Sequence, residues 1–106
     1  MVKVNEKNYD EVVAQSALPV VLDFGATWCG PCKKLEPIIE ELSGELAGKV
    51  VMAKVDVGEA PSVAQKFGVM GVPTVVFLKG GQPVHQFSGV QSKDKIAGMI
   101  SEHLGV

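Results

Sequence analysis

At 106 residues the chain is the size of one domain, residues 1–106, with a core that buries about 65% of its unfolded surface and needs no staples. Its 46% hydrophobic content reads as soluble and globular, and a formal net charge of −2 leaves no basic surface for nucleic acid. No run of about 18 apolar residues offers a membrane span, and Met1 to Asp10 lacks the apolar stretch of a secretion signal. The expected location is therefore cytoplasmic. In that compartment paired thiols are more often catalytic or metal-binding than structural.

In chain order, Val12 to Ser16 ends a first helical segment that begins near Asn5 or Asn8. Val20 to Phe24 reads as a strand, apolar except at Asp23, as suits a central strand covered on both faces. Gly25 ends it. A helix of about fifteen residues starts near Pro31, with Leu35, Ile38, Ile39, Leu42 and Leu46 as its buried stripe. Glu36, Glu40, Glu41 and Glu45 take its wet side, Pro37 kinks it, and Gly48 closes it.

Val50 to Val55 is a second core strand. A short helix near Ser62 to Phe67 stops at Gly68. Thr74 to Leu78 and Val84 to Phe87 are strands joined by a turn at Gly80-Gly81. Ser92 caps a last helix whose Ile96, Ile100 and Leu104 recur every fourth residue. The order is βαβα, a hairpin and a helix. It predicts an α/β fold: a central mixed sheet, with one parallel crossover, flanked by helices on both faces.

Cys29 and Cys32 are the only cysteines, three apart, with Pro31 between them at a helix start. A helix N-terminus carries partial positive charge and unpaired N–H groups, which favours a thiolate at Cys29. Cys29 is read as the attacking sulfur. Cys32, one turn further in and expected to be less exposed, resolves the mixed disulfide. A purely structural disulfide gains little from closing so short a loop. Structural zinc wants four ligands, and only two cysteines and two distant histidines are present. No metal is expected. No G-x-G-x-x-G follows a strand, so no nicotinamide or flavin site is expected either.

Asp23 is either a proton acceptor with its pKa raised by burial or a core carboxylate satisfied by hydrogen bonds. Lys54, between Ala53 and Val55, is either its buried neighbour or a lysine snorkelling from a strand edge. Trp28 suits a half-exposed apolar rim beside the thiols. His85, His103, Lys33 and Lys34 read as solvent-facing.

Trp28-Cys29-Gly30-Pro31-Cys32-Lys33 resembles the signature of the thioredoxin family. The resemblance extends along the chain through Val21-Leu22-Asp23-Phe24, Lys54-Val55-Asp56, Gly71-Val72-Pro73-Thr74 and Gly89, in the family's order and spacing. It implies the thioredoxin fold and protein-disulfide reduction through a redox-active Cys29–Cys32 disulfide, with no other cofactor. It implies that Asp23 takes the Cys32 proton through water and that Lys54 neighbours Asp23. It further implies a cis Pro73 and a substrate groove at Trp28, Gly30, Pro31, Val57, Met70, Val72, Gly89 and Val90. The implied partners are a thioredoxin reductase and client disulfides, as in reductive enzymes or peroxide scavengers, served by a monomer.

Two residues depart from the family pattern. Gly25 stands where many bacterial members have a second aromatic, which loosens packing near the site. Met70 replaces a polar or charged residue and makes the groove rim apolar and adaptable. Two competing readings stay open: a disulfide oxidase or isomerase on the same fold, and a binding module whose thiols are incidental.

Overall fold

In the computed structural model, which covers residues 1–106, five strands form one mixed sheet. The elements are β1 (Val2–Lys3), β2 (Val20–Gly25), α1 (Gly30–Glu45), β3 (Val51–Asp56), α2 (Pro61–Lys66), β4 (Thr74–Lys79), β5 (Gln82–Ser88) and α3 (Lys93–Leu104). The strand order is β1-β3-β2-β4-β5. β3 runs parallel to both β1 and β2, while β4 is antiparallel to β2 and β5. No helix is long and apolar enough to cross a membrane.

Alternation along the strands divides the core into two layers. Val20, Leu22, Phe24, Ala53, Val55, Val76 and Leu78 face the layer that holds Val13 and the α2 residues Val63 and Ala64. Val21, Met52, Val75 and Phe77 face the layer closed by Leu35, Ile39 and Leu42 of α1 and Ile96, Ile100 and Leu104 of α3. By the same parity, Asp23 and Lys54 point to the α1 side, and they are direct partners in the β2–β3 register.

The helical stripe holds in graded form. Leu35, Ile39 and Leu42 are buried, whereas Ile38 and Leu46 are partly buried at its margin. α1 runs unbroken through Pro37, which deprives only the Lys33 carbonyl of an i+4 donor. Three of the four glutamates on its supposed wet side are exposed, and two of them, Glu41 and Glu45, grip Lys93 at the start of α3. Glu36 is only half exposed and turns toward the sheet side instead. Ser92 caps α3 by accepting a hydrogen bond from the Lys95 N–H at 3.2 Å.

The first helical segment is present, and its form is π-helical over Asp10–Ala14, with the Gln15 N–H reaching the Asp10 carbonyl at 2.9 Å. A turn precedes it, closed by Asn5, whose side chain accepts from the Lys7 and Asn8 N–H groups at 2.8 and 3.2 Å. Val13, fully buried, anchors it. β1 leaves no trace in the sequence pattern. Two residues are too few to show a period, yet Val2 and Lys3 pair with Ala53 and Lys54 and cover the outer edge of β3.

The β4–β5 turn is as the glycines require. Gly80 and Gly81 have φ of 61° and 78°, the left-handed pair of a type I′ hairpin. Beyond it the register slips between Phe77 and Leu78, which leaves Val84 as a bulge.

A Cβ on Gly81 would lie 3.0 Å from the Ala14 carbonyl oxygen, whereas one on Gly98, inside α3, would meet nothing. Gly81→Ala should therefore lose at least about 1–2 kcal/mol for the left-handed backbone alone. Gly98→Ala should gain about 0.5–1 kcal/mol from a stiffer unfolded chain. Urea unfolding of the two variants checks both signs.

Candidate active site

The site lies at one end of the sheet because of strand direction. The ends of β2, β3 and β5 and the beginning of β4 meet there. The segment after β2 carries Trp28 and Cys29, the one after β3 carries Val57, the one before β4 carries Gly71-Val72-Pro73, and the one after β5 carries Gly89 and Val90. Two backbone bonds tie them: Val57 N–H to the Gly25 carbonyl at 2.9 Å and Gly89 N–H to the Pro73 carbonyl at 3.0 Å. The Val72–Pro73 peptide is cis, as the resemblance implied. Thr74 Oγ1 donates to the Gly71 carbonyl at 2.7 Å and holds that segment against the start of β4.

Cys29 and Cys32 form a disulfide, with Cα atoms 5.3 Å apart. Cys29 is the N-cap of α1, with extended backbone at φ −92° and ψ 111°, and Pro31 lies in the first helical turn. A proline is favoured there because its missing N–H would have no partner in any case. Cys29 Sγ accepts the Cys32 N–H at 3.2 Å, doing with sulfur what a serine oxygen does at an ordinary cap. A thiolate at this atom would gain a charge-assisted bond and the favourable end of the helix dipole.

One expectation about the sulfurs fails. Cys29 and Cys32 are 4% and 8% exposed, so Cys32 is not the more hidden of the two. The difference between them lies in their surroundings. Cys32 lines a cavity of about 390 Å³ shared with Asp23, Gly25, Glu36 and Lys54, and Cys29 does not.

Asp23 forms part of the wall of that cavity and is 6% exposed, and its Oδ1 is buried with no hydrogen-bond partner in the protein. No group of the protein satisfies that oxygen. Burial, with repulsion from Glu36 second, pushes its pKa up to about 6, against a smaller opposing pull from Lys54. Lys54 is adjacent in register but not buried. Its Nζ is held by Glu36 Oε1 at 3.0 Å, with both side chains part-exposed. This hydrogen bond and ion pair raise the Lys54 pKa.

Glu36 is the residue that the helical period mis-sorted. The signal that would have found it is its spacing from Cys32: i and i+4 share a helix face. Gly25 backs onto the same place. A Cβ there would lie 3.4 and 3.5 Å from Cys32 Cβ and Sγ, so the missing side chain leaves the Cys32 flank open to the cavity.

The exposed rim is apolar. Trp28 is 77% exposed, Met70 is 99% exposed, and Val90 is also exposed, while Gly30 and Pro31 open the helix at the surface. Val57, Val72 and Gly89 are half-buried, and Pro73 is buried. The histidines are not simple solvent-facing side chains. His85 and His103 stack at 3.9 Å, nearly parallel, and His85 packs on Phe77 across the β4–β5 pair. They lie outside the site. No three His, Cys, Asp or Glu side chains gather to hold a metal.

The family profile described as Thioredoxin matches residues 1–102. The chain belongs to the thioredoxin family. It is 47% identical over 104 residues to a thioredoxin of Staphylococcus haemolyticus (strain JCSC1435), covering 98% of each chain. It is 44% identical over 104 residues to one of Staphylococcus aureus (strain Mu50 / ATCC 700699), again over 98% of each. A thioredoxin of Chlorobaculum thiosulfatiphilum is 41% identical over 100 residues, 94% of this chain and 93% of that one. With the Cys29–Cys32 disulfide at the helix start, the chain is a thioredoxin-fold protein-disulfide oxidoreductase that works by dithiol–disulfide exchange.

The raised pKa of Asp23 has a thermodynamic consequence. Between about pH 4 and 6 the folded protein binds a proton that the unfolded chain releases, so stability falls as pH rises through that window. Asp23→Asn removes this loss. It should be more stable than the native protein by about 3 kcal/mol near pH 8, for a shift of about two units at 1.36 kcal/mol each, with the gap closing near pH 4. Urea unfolding of the oxidised proteins at the two pH values measures it.

Proposed function

We propose that the chain is a general protein-disulfide reductase of the cytoplasm: one domain over residues 1–106, acting as a monomer. The observation that carries this reading is the pairing of two environments on one disulfide. Cys29 Sγ accepts a helix N-terminal N–H, while Cys32 borders a cavity that reaches a buried carboxylate whose Oδ1 has no partner in the protein.

In the reduced protein Cys29 thiolate attacks one sulfur of a client disulfide, and the other client sulfur leaves as a thiolate. The Cys32 thiol passes its proton to Asp23 through the cavity, directly or by water, and the resulting thiolate attacks Cys29 Sγ. The Cys29–Cys32 disulfide forms and the second client thiolate leaves. The client gains two electrons and the chain loses two. A thioredoxin reductase returns them, since the Cys29–Cys32 couple is the redox group and nothing in the chain supplies electrons to it. Lys54 modulates the charge on Asp23.

Clients dock on the exposed apolar rim of Trp28, Gly30, Pro31, Met70 and Val90, with Val57, Val72, Pro73 and Gly89 beneath it. The Val72 backbone offers strand-type pairing to an extended client segment. A rim with apolar contacts and backbone bonds, but no fixed charge pattern, suits many clients, such as reductive enzymes and peroxide scavengers.

Two measurements test the reading. Cys32→Ser should accumulate mixed disulfides through Cys29, and Cys29→Ser should form none; adducts from the second variant alone would reverse the order of attack. The Cys29–Cys32 potential, titrated in redox buffers through Trp28 fluorescence, should lie below about −240 mV. Reference values are about −270 mV for thioredoxin and about −180 mV for protein disulfide isomerase. A potential above about −200 mV would make the chain an oxidant or isomerase.

A further inference from the structure

The cavity beside Cys32 holds more charge than proton transfer to Asp23 requires. Lys3, Lys33 and Lys54 line it with Glu36 and Asp56. Three of these stand apart from Asp23. Lys3 of β1 pairs with Glu59. Asp56 of β3 accepts the Gly58 and Glu59 N–H groups at 2.8 and 3.2 Å and closes a turn. Lys33 stands exposed on α1. On the other flank of Asp23, β4 presents Val75, which carries no charge. Two groups remain that bear directly on Asp23: Glu36 from α1 and Lys54 from β3.

Register makes Lys54 the natural counterion of Asp23, since the two are opposed on adjacent strands and point to the same face. The ion pair nevertheless forms elsewhere. Lys54 Nζ lies 3.0 Å from Glu36 Oε1, and Asp23 Oδ1 is left without a partner. Glu36 is one turn on from Cys32, on the same helix face, so the helix that delivers the resolving sulfur also delivers the competing carboxylate.

We propose that Glu36 is a positioning residue for the resolution step: it captures Lys54 and places a second negative charge on the cavity, and so sets how readily Asp23 takes the Cys32 proton. This rests on the reading of Asp23 as the proton acceptor. The electrostatics agree in direction. Glu36 raises the Asp23 pKa and Lys54 lowers it, while Glu40 adds to the field that holds Lys54 charged. A base works best with its pKa near the working pH, so a carboxylate kept from its lysine is the more useful acceptor.

As a part-exposed ion pair, Glu36–Lys54 contributes at most about 1 kcal/mol to stability, so its variants should fold. The test follows the Asp23 carboxylate itself in the oxidised protein, by its infrared band or 13C chemical shift, across pH. Glu36→Gln should move its midpoint about one unit toward acid, because repulsion is lost and Lys54 is freed to approach. Lys54→Gln should move it toward alkali, and the double variant should return it near the native value. The single-turnover rate of mixed-disulfide resolution near pH 7 should fall about threefold in Glu36→Gln, half a log unit for one unit of lost basicity.

An unmoved Asp23 midpoint in Glu36→Gln would make Glu36 a surface ion pair and nothing more. A moved midpoint with an unmoved rate profile would also overturn the positioning role. Asp23→Asn separates the two ideas: if it leaves the resolution rate unchanged, the proton-acceptor reading fails, whatever Glu36 does to the titration.

Discussion

A carboxylate inside the central strand is the constraint on which the site depends. β2 is flanked by strands on both sides and covered on both faces, so Asp23 cannot swing out to water. An isolated charge in such a place is expensive, and the group relieves the cost by holding its proton longer. Its one opening is the cavity between the first turns of α1 and the ends of β2 and β3. Whatever lines that opening therefore controls the charge of Asp23. That gives Gly25, Glu36 and Lys54 a leverage that their partial exposure would not suggest.

The placement of the remaining residues follows from topology. The parallel β2–β3 pair sends both C-terminal ends to the same edge, and the antiparallel β4 brings its beginning there. Residues far apart in sequence thereby converge: Trp28, Val57, Val72 and Gly89 lie on four separate segments held by two backbone bonds. A groove built this way takes its shape from the sheet, while its chemistry rests on side chains that are free to vary. Met70 illustrates the freedom. It is fully exposed on the rim, and a thioether on an unbranched side chain is free to change its shape there.

Much of this was legible in the chain itself, and the failures have physical reasons. Apolar runs and helical stripes located β2, α1, β3, β4 and α3, because deep burial leaves a strong periodic trace. The thiol pair and Asp23 are legible as chemistry, whereas the Gly71-to-Thr74 segment is legible only through the family resemblance. β1 is not legible, because two residues carry no period and the pairing partner supplies all the information. The first helical segment is legible, but its π form is not, because one extra residue per turn is invisible beside a single buried valine. Amphipathic reasoning puts Glu36 on the wet side because it sorts residues by polarity. A polar residue that faces a polar cavity breaks that sorting. Departures of this kind are expected where function, rather than packing, decides the residue.

The two sulfurs show why exposure is a poor guide to role. Both are buried in the disulfide, and Cys32 is marginally the more open. Accessibility therefore does not separate the two sulfurs. Their neighbours separate them. Stabilising a thiolate at rest needs a hydrogen-bond donor and a positive dipole, and Cys29 has both at the helix cap. Generating a thiolate on demand needs a base and a proton path, and Cys32 has the cavity with Asp23 behind it. If both sulfurs shared one environment, neither client attack nor resolution would be favoured in order. The helix places its first turn across the boundary between rim and cavity, and this gives two cysteines three residues apart different surroundings.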